Sequence, residues 1–224
     1  MKNNNKKKNH ILKKMNIIKA ISILKDKSKK KFVESFDIAI MLGIDPKKTD
    51  QNIRGATVLP HGNGKKIKIA VFADGEEAKE AKKAGAEFIG MDDLAKKIKK
   101  NKIKFDITVA TPKSMKIVSS LGSILGPKGL MPNHKIGTIT SNIYKTIKKI
   151  KNGQIRYKND KNGIIHASIG KTNFSEIQIK ENLISLITDL KKQKPNKMKG
   201  IYLKKIFLTT TMGQAIQIKQ SILE

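Results

Sequence analysis

Apolar positions recur along this chain in two rhythms, and the change of rhythm divides it into outer and middle segments. Ile11, Met15, Ile18 and Ile21/Leu24 repeat near helical period and predict a first helix over residues 11–24. A lysine-rich connector over 25–31 leads into a strand at 32–40. There Phe32, Glu34, Phe36, Ile38 and Ile40 share one face, while Val33, Ser35, Asp37 and Ala39 share the other. On periodicity alone Phe32 and Phe36 belong to a core. Gly43-Ile44-Asp45-Pro46 is a turn, and Gly62-Asn63-Gly64 is a flexible break of the kind a hinge needs.

Past that break, strands alternate with helices. Strands are predicted over 66–73, 87–90 and 105–112. Helices are predicted over 76–84, over 92–100, from a Ser114 cap to about 124, and over 142–151. A returning strand follows at 154–157. Such alternation implies parallel βαβ units. After a second turn-rich crossing at 158–163, residues 164–171 alternate Ile165, Ala167 and Ile169 with Ile164, His166 and Ser168, as a half-buried strand would. Ser175-Glu176-Ile177-Gln178 is a capping-box pattern opening a helix with Leu183, Ile184, Ile187 and Leu190 on one face. A final strand over 200–212 places Ile206, Leu208, Thr210 and Met212 opposite Phe207, Thr209 and Thr211.

Charge changes this picture most. The 224 residues carry 48 basic and 18 acidic groups, a net charge of +30, which makes a polyanion, nucleic acid by default, the expected partner. All the basic residues but Arg54 and Arg156 are lysine, a skew that AT-rich coding alone can produce, so lysine number is a weak guide to selection. No cysteine is present, which removes disulfides and thiolate metal sites. The longest apolar runs, such as 38–42, are too short to cross a membrane, and the basic N-terminus lacks the apolar stretch of a secretory signal.

Catalytic and cofactor patterns are missing too. The four histidines, His10, His61, His134 and His166, are scattered. Asp92-Asp93 reads as helix-start charge rather than a paired acid. The first middle strand ends Ala73-Asp74-Gly75-Glu76, without a dinucleotide fingerprint. Gly122, Gly126 and Lys128 fail the phosphate-loop spacing and lack a following Ser or Thr. No metal, cofactor or enzymatic chemistry is expected.

One stretch stands apart: LGSILGPKGLMPNHKIGT, residues 121–138. Pro127 fixes φ, the neighbouring glycines admit turns, and Leu130-Met131 sits between two prolines, which predicts a rigid, shaped loop with Lys128 at its tip. The run Ile124-Leu125-Gly126-Pro127-Lys128-Gly129-Leu130-Met131-Pro132-Asn133, with Gly137-Thr138, resembles the signature of the large-subunit ribosomal protein L-one family (bacterial type). The block from Asp50 to Lys65 resembles it as well, and the likeness covers roughly residues 31–212.

The resemblance implies an α/β protein of two domains. Domain I, residues 1–62 and 158–224, would be a split α+β domain built from both chain ends. Domain II, residues 63–157, would be an inserted Rossmann-like α/β domain with a parallel sheet. It further implies a structural constituent of the large ribosomal subunit that binds the rRNA side stalk, assists exit-site tRNA release and represses its own mRNA. The free protein would be a cytoplasmic monomer.

By residue, the family's rRNA-binding face corresponds to Lys31, Phe32, Ser35, Thr211, Met212 and Gly213. Thr209 joins them from the same threonine run, and His166 and Lys171 follow from their basic strand end. The signature loop contributes Gly126, Pro127, Lys128, Gly129, Pro132 and Gly137. Departures are Val33 and Ser35 within Phe-Asp-Glu-Thr, and His134 in place of proline. Without the resemblance, the threonine run is better read as an ordinary edge strand rich in β-formers. The rival reading is a non-specific basic nucleic-acid chaperone.

Overall fold

The computed structural model describes residues 15–28, 32–100, 102–195, 198 and 200–219. Its first helix, α1, is Ile17–Lys27, capped by the Asn16 side chain and running on into the lysines expected to be a connector. Its buried stripe is Ile17, Ala20, Ile21 and Leu24, so Ile21 and Leu24 lie inside as expected, whereas Ile18 is exposed and Ile17 takes its place. Ile11 lies outside the described residues.

Strand β1, Ser35–Leu42, buries Phe36, Ile38, Ile40 and Leu42 and leaves the alternate positions half-exposed. Phe32 falls before the strand and stays exposed, so only Phe36 of the two aromatics is core. β7 (Ile164–Lys171) and β8 (Leu203–Thr210) flank β1 on either side, both antiparallel, and β9 (Ile216–Ile218) pairs with β8. The last expected strand, 200–212, is thus confined to β8, because the chain bends at Thr211-Met212-Gly213, and β9 beyond the bend is a strand the sequence reading did not expect. That bend puts Met212 in solvent rather than on the buried face.

One side of this four-stranded sheet is covered by α1 and α7 (Glu176–Lys192). α7 opens with the capping box on Ser175 and Gln178, as the sequence pattern requires. It buries Ile179, Asn182, Leu183, Leu186, Ile187 and Leu190. Ile184, expected on that face, is exposed; the polar Asn182 occupies the stripe instead. Each aliphatic side chain so buried contributes about 1.5–3 kcal/mol of transfer free energy.

Residues 54–58, which carry Gly55 and no clear alternation, form an unexpected strand, β2 (Arg54–Val58). It pairs antiparallel with β6 (Gln154–Lys158) in a two-stranded ribbon. Ile155 and Tyr157 on one face of the ribbon pack in the same cluster as the outer segments.

The middle segment holds a three-stranded parallel sheet, β3 (Ile69–Phe72) between β4 (Phe88–Gly90) and β5 (Ile107–Ala110). The central strand β3 and its neighbour β5 are buried along their whole length, as a parallel sheet covered on two faces demands. Ile69 and Val71 face α2 (Gly75–Lys83) and α6 (Ile143–Lys151). Ala70 and Phe72 face α3 (Asp92–Lys99), α4 (Met115–Ser119) and α5 (Gly122–Leu125). The single helix expected up to residue 124 is broken between α4 and α5. There the Ser119 and Ser120 hydroxyls bond back to the Met115 and Ile117 carbonyls and loosen the turn. Ser114 caps nothing: it is buried, and its Oγ donates to the Phe72 carbonyl at 2.8 Å. Among the described residues, no helix is long and apolar enough to cross a membrane, and no group of three metal-ligating side chains exists.

Candidate nucleic-acid interface

The strand register brings several of the expected residues to one end of the four-stranded sheet. Ser35 at the start of β1 lies opposite Lys171 at the end of β7, and Phe36 lies opposite Thr210 at the end of β8. The turn after β8 folds over this end. Ser35 N–H donates to Thr211 Oγ1 at 3.1 Å, and Met212 N–H donates to Glu34 Oε2 at 3.1 Å. Thr209 Oγ1 donates within the turn to the Gly213 carbonyl at 3.1 Å. Gly213 is required by packing: a Cβ there would lie 2.2 Å from Thr210 Oγ1. The chain therefore presents Phe32, 53% exposed, and Met212, 65% exposed, beside a row of small polar groups.

Ser35, Lys171, Thr209, Thr211, Met212 and Gly213 converge, and Phe32 lies three residues before Ser35 in the chain. Lys31 lies outside the described residues. His166 does not join the group. It pairs with Ala39, four residues along β1 from Ser35, roughly 13 Å at ~3.3 Å per residue. There it stands exposed with Nε2 3.7 Å from Asp160 Oδ2. The Asp160 carboxyl is held below its usual range, chiefly by the Ile164 N–H; burial opposes this, and Asn162 N–H and His166 add to the lowering.

Glu34 was passed over in the sequence as a strand residue. It is 1% exposed and braces two elements at once, its carboxylate holding Met212 and its carbonyl accepting from Thr172 N–H at 2.9 Å. An acid inside so basic a chain is the one signal that pointed to it.

The signature loop stands on a different core. Leu125 is buried in the cluster beneath Phe72, with Leu130 and Met131 packed against it, while Gly126, Pro127, Lys128 and Gly129 are exposed. Pro132 is buried and Gly137 takes a left-handed φ of 74°. Between them Asn133 and Thr138 close a ring. Asn133 N–H donates to Thr138 Oγ1 at 2.8 Å, and Thr138 N–H to the Asn133 carbonyl at 3.1 Å. Ala110 N–H donates to the Thr138 carbonyl at 3.0 Å and fixes the ring to β5.

This ring forms one wall of a cleft whose other wall is the β2–β6 ribbon. Arg54, Lys135, Lys158 and Lys161 line it with the amides of Asn52, Asn133 and Asn159 and the acid Asp160. Sequence reading missed this cleft because it depends on the β2–β6 pairing, which sets Arg54 opposite Lys158. Midway along the ribbon, opposite Ala56, Arg156 donates to the Asp106 carbonyl at 3.0 Å. Burial first, and then the charge of Arg54, press its guanidinium below the usual value, with Asp106 opposing. The chain crosses at Gly62 and Gly153, so close that a Cβ on Gly153 would lie 2.2 Å from the Gly62 Cα. Neither surface holds an arrangement for bond-making; both offer donors, acceptors and positive charge.

Residues 24–214 match the sequence profile described as the ribosomal protein L1p/L10e family. The chain is 55% identical over 203 residues to the large ribosomal subunit protein uL1 of Haemophilus influenzae (strain PittEE), covering 91% of this chain and 89% of that one. It is also 55% identical over 203 residues to the protein of the same name in Proteus mirabilis (strain HI4320), covering 91% and 87%. Against that of Shewanella oneidensis the identity is 55% over 204 residues, covering 91% and 88%.

Proposed function

The chain belongs to the ribosomal protein L1p/L10e family, and from that premise we propose that it grips the rRNA side stalk of the large subunit through the sheet end. The convergence of Ser35, Lys171, Thr209, Thr211, Met212 and Gly213, with exposed Phe32 three residues before Ser35, carries this reading. Folded RNA is distinguished by shape, 2′-hydroxyls and exposed bases, so a selective site needs hydroxyls and exposed apolar groups on a rigid frame. Among the described residues the sheet end has those, together with Lys171. Lysines elsewhere supply affinity that weakens with salt.

The division into residues 1–62 and 158–224 against 63–157 forms part of the same proposal, with the β2–β6 ribbon and the Gly62–Gly153 crossing at the join. The cleft between ribbon and signature loop is the surface we assign to exit-site tRNA, whose phosphates would meet Arg54, Lys135, Lys158 and Lys161. Repression of the protein's own mRNA would use the sheet end, on a hairpin shaped like the stalk. The protein then works in the cytoplasm, on the ribosome, and is a monomer when free.

Salt titration tests the reading. Binding to the stalk hairpin is compared with binding to an unrelated duplex of equal length, using the intact chain, Phe32→Ala and Thr211→Val. The stalk should keep its preference at high salt, and both substitutions should erode it. Equal binding that fades equally with salt would replace this reading with a non-specific chaperone.

A further inference from the structure

The side of the four-stranded sheet turned away from α1 and α7 carries residues that the stalk grip does not use. Because β1 buries Phe36, Ile38 and Ile40, the intervening positions line this open side in rows set by the register. Nearest the sheet end stands Ser35 with Lys171. The next row is Ser168, Asp37 and Thr209. The third is His166, Ala39, Phe207 and Gln217. Ala39 is the small member of its row, with His166 on one side and Phe207 on the other. Over it the surface sinks into a depression of about 410 Å³ lined by Asp37, Ala39, His166, Ala167, Ser168 and Thr209.

Asp37 is out of place on a surface meant only for phosphate. The chain has 18 acidic residues against 48 basic ones, and a carboxylate repels a phosphodiester. Among the described residues its carboxylate has no ion pair and no hydrogen bond. Two acceptor oxygens in a polar hollow match two adjacent N–H donors. Of the four RNA bases, guanine alone carries neighbouring donors on its pairing edge, at N1 and N2. Adenine and cytosine set an acceptor beside their one donor, and uracil flanks its donor with two acceptors. His166 and Phe207 flank Ala39 on the two neighbouring strands, their backbones two strand spacings or roughly 10 Å apart, and aromatic rings are what a flat base stacks on.

We propose that this depression is a receptor for a single unpaired guanine, its N1–H and N2–H donating to the Asp37 carboxylate and its ring lying over Ala39. The proposal rests on the stalk-binding reading and deepens it: the sheet end grips the backbone, and the open side reads one extruded base.

The test uses the intact chain and the stalk hairpin, with each unpaired guanosine replaced in turn by inosine, which lacks the N2 amino group, or by 7-deazaguanosine, which keeps it. At one position inosine should weaken binding about tenfold, in line with the discrimination of a bidentate base contact, and 7-deazaguanosine should have no effect. Asp37→Asn should bind the guanosine and inosine hairpins alike, and Ala39→Leu, which fills the hollow, should bind both at the inosine level. Circular dichroism of both variants checks that the sheet is intact, and Asp37→Asn, at a half-exposed position, keeps the assay informative if Ala39→Leu fails to fold. If no position distinguishes inosine from guanosine, or if Asp37→Asn retains the distinction, the receptor is overturned. The stalk reading survives that result as long as the hairpin still outcompetes the unrelated duplex, and falls separately if it does not.

Discussion

Asn182 gives the sharpest test of how the helix layer holds the chain crossing. It is fully buried in the apolar stripe of α7. Its amide Nδ2 donates to the Gly62 and Ile169 carbonyls, both at 2.8 Å, while its Oδ1 accepts from His61 N–H at 3.1 Å. One side chain therefore ties the loop before the crossing to α7 and β7, and the His61 ring meets Glu181 on the same helix. Asn182→Ala removes three hydrogen bonds and leaves two carbonyls and an N–H without partners. An unsatisfied buried group costs ~1–3 kcal/mol; with partial relaxation the loss should be about 3–5 kcal/mol. That is a large share of a stability of roughly 5–15 kcal/mol. Urea unfolding of the full chain, followed by circular dichroism, measures it, and Asn182→Leu is the control of similar volume. Leucine restores packing without restoring the bonds, so it should lose nearly as much as alanine. If leucine matched or exceeded the parent, the site would be an apolar slot and the anchoring argument would be wrong.

Other consequences are quicker to state. Gly153→Ala should cost at least about 3 kcal/mol, combining a φ of 94° with a Cβ 2.2 Å from Gly62, whereas Gly129→Ala, at φ 67° with open space, should cost only ~1 kcal/mol; equal losses in urea would dismiss the crowding at the crossing. Glu34→Ala should free the turn at Met212 and lower stalk preference at high salt, with Glu34→Gln nearly normal because its amide oxygen can still accept; comparable losses in both would mean that the negative charge matters and the brace does not. Arg54→Ala should weaken tRNA binding by ~1 kcal/mol or more while leaving stalk affinity intact, as competition gel shifts would show. Burial pushes the Tyr202 hydroxyl up to about 12, and it has no hydrogen-bond partner among the described residues. Above pH 10 the unfolded chain therefore releases that proton while the folded chain keeps it, and stability falls as pH rises from 10 toward 12. Tyr202→Phe should be neutral or slightly stabilising at pH 7 and should flatten that alkaline loss; an unchanged pH profile would contradict it.

Local chemistry made much of this fold legible. The capping box at Ser175, the alternation of Phe36, Ile38 and Ile40 and the strand–helix alternation of residues 66–151 are decided by neighbours in sequence. Non-local features were not. β2 is a strand because β6 lies beside it, and nothing within RGATV announces that partner. Ile18 and Ile184 are apolar yet exposed, while Asn182 is polar yet buried, since the stripe follows what each helix touches rather than hydrophobicity alone. The break at Ser119-Ser120 and the interior use of Ser114 both turn on where a hydroxyl finds a carbonyl. The site divides the same way. Residues at the sheet end could be named from the family's motif, but their assembly needed the register of three strands. The basic cleft, built from four separated stretches of chain, had no linear signature at all.

The separation of charge from selectivity follows from the same geometry. A chain drifting toward lysine gains affinity for any polyanion without altering its fold, because exposed lysines need only solvent and a helix or strand to stand on. The sheet end cannot drift in that way. Gly213 has no room for a Cβ, Thr211 must accept from Ser35, and Glu34 must reach Met212 from a buried position. Lysine at any of these places would break the turn that holds the others. Selection on RNA shape and selection on folding therefore act there on the same atoms. Substituting surface lysines should consequently change the salt slope of binding and little else, while substituting any member of the turn should reduce stalk preference and stability together. A turn variant that lost preference at undiminished stability would separate the two and show that the hydroxyls serve RNA alone.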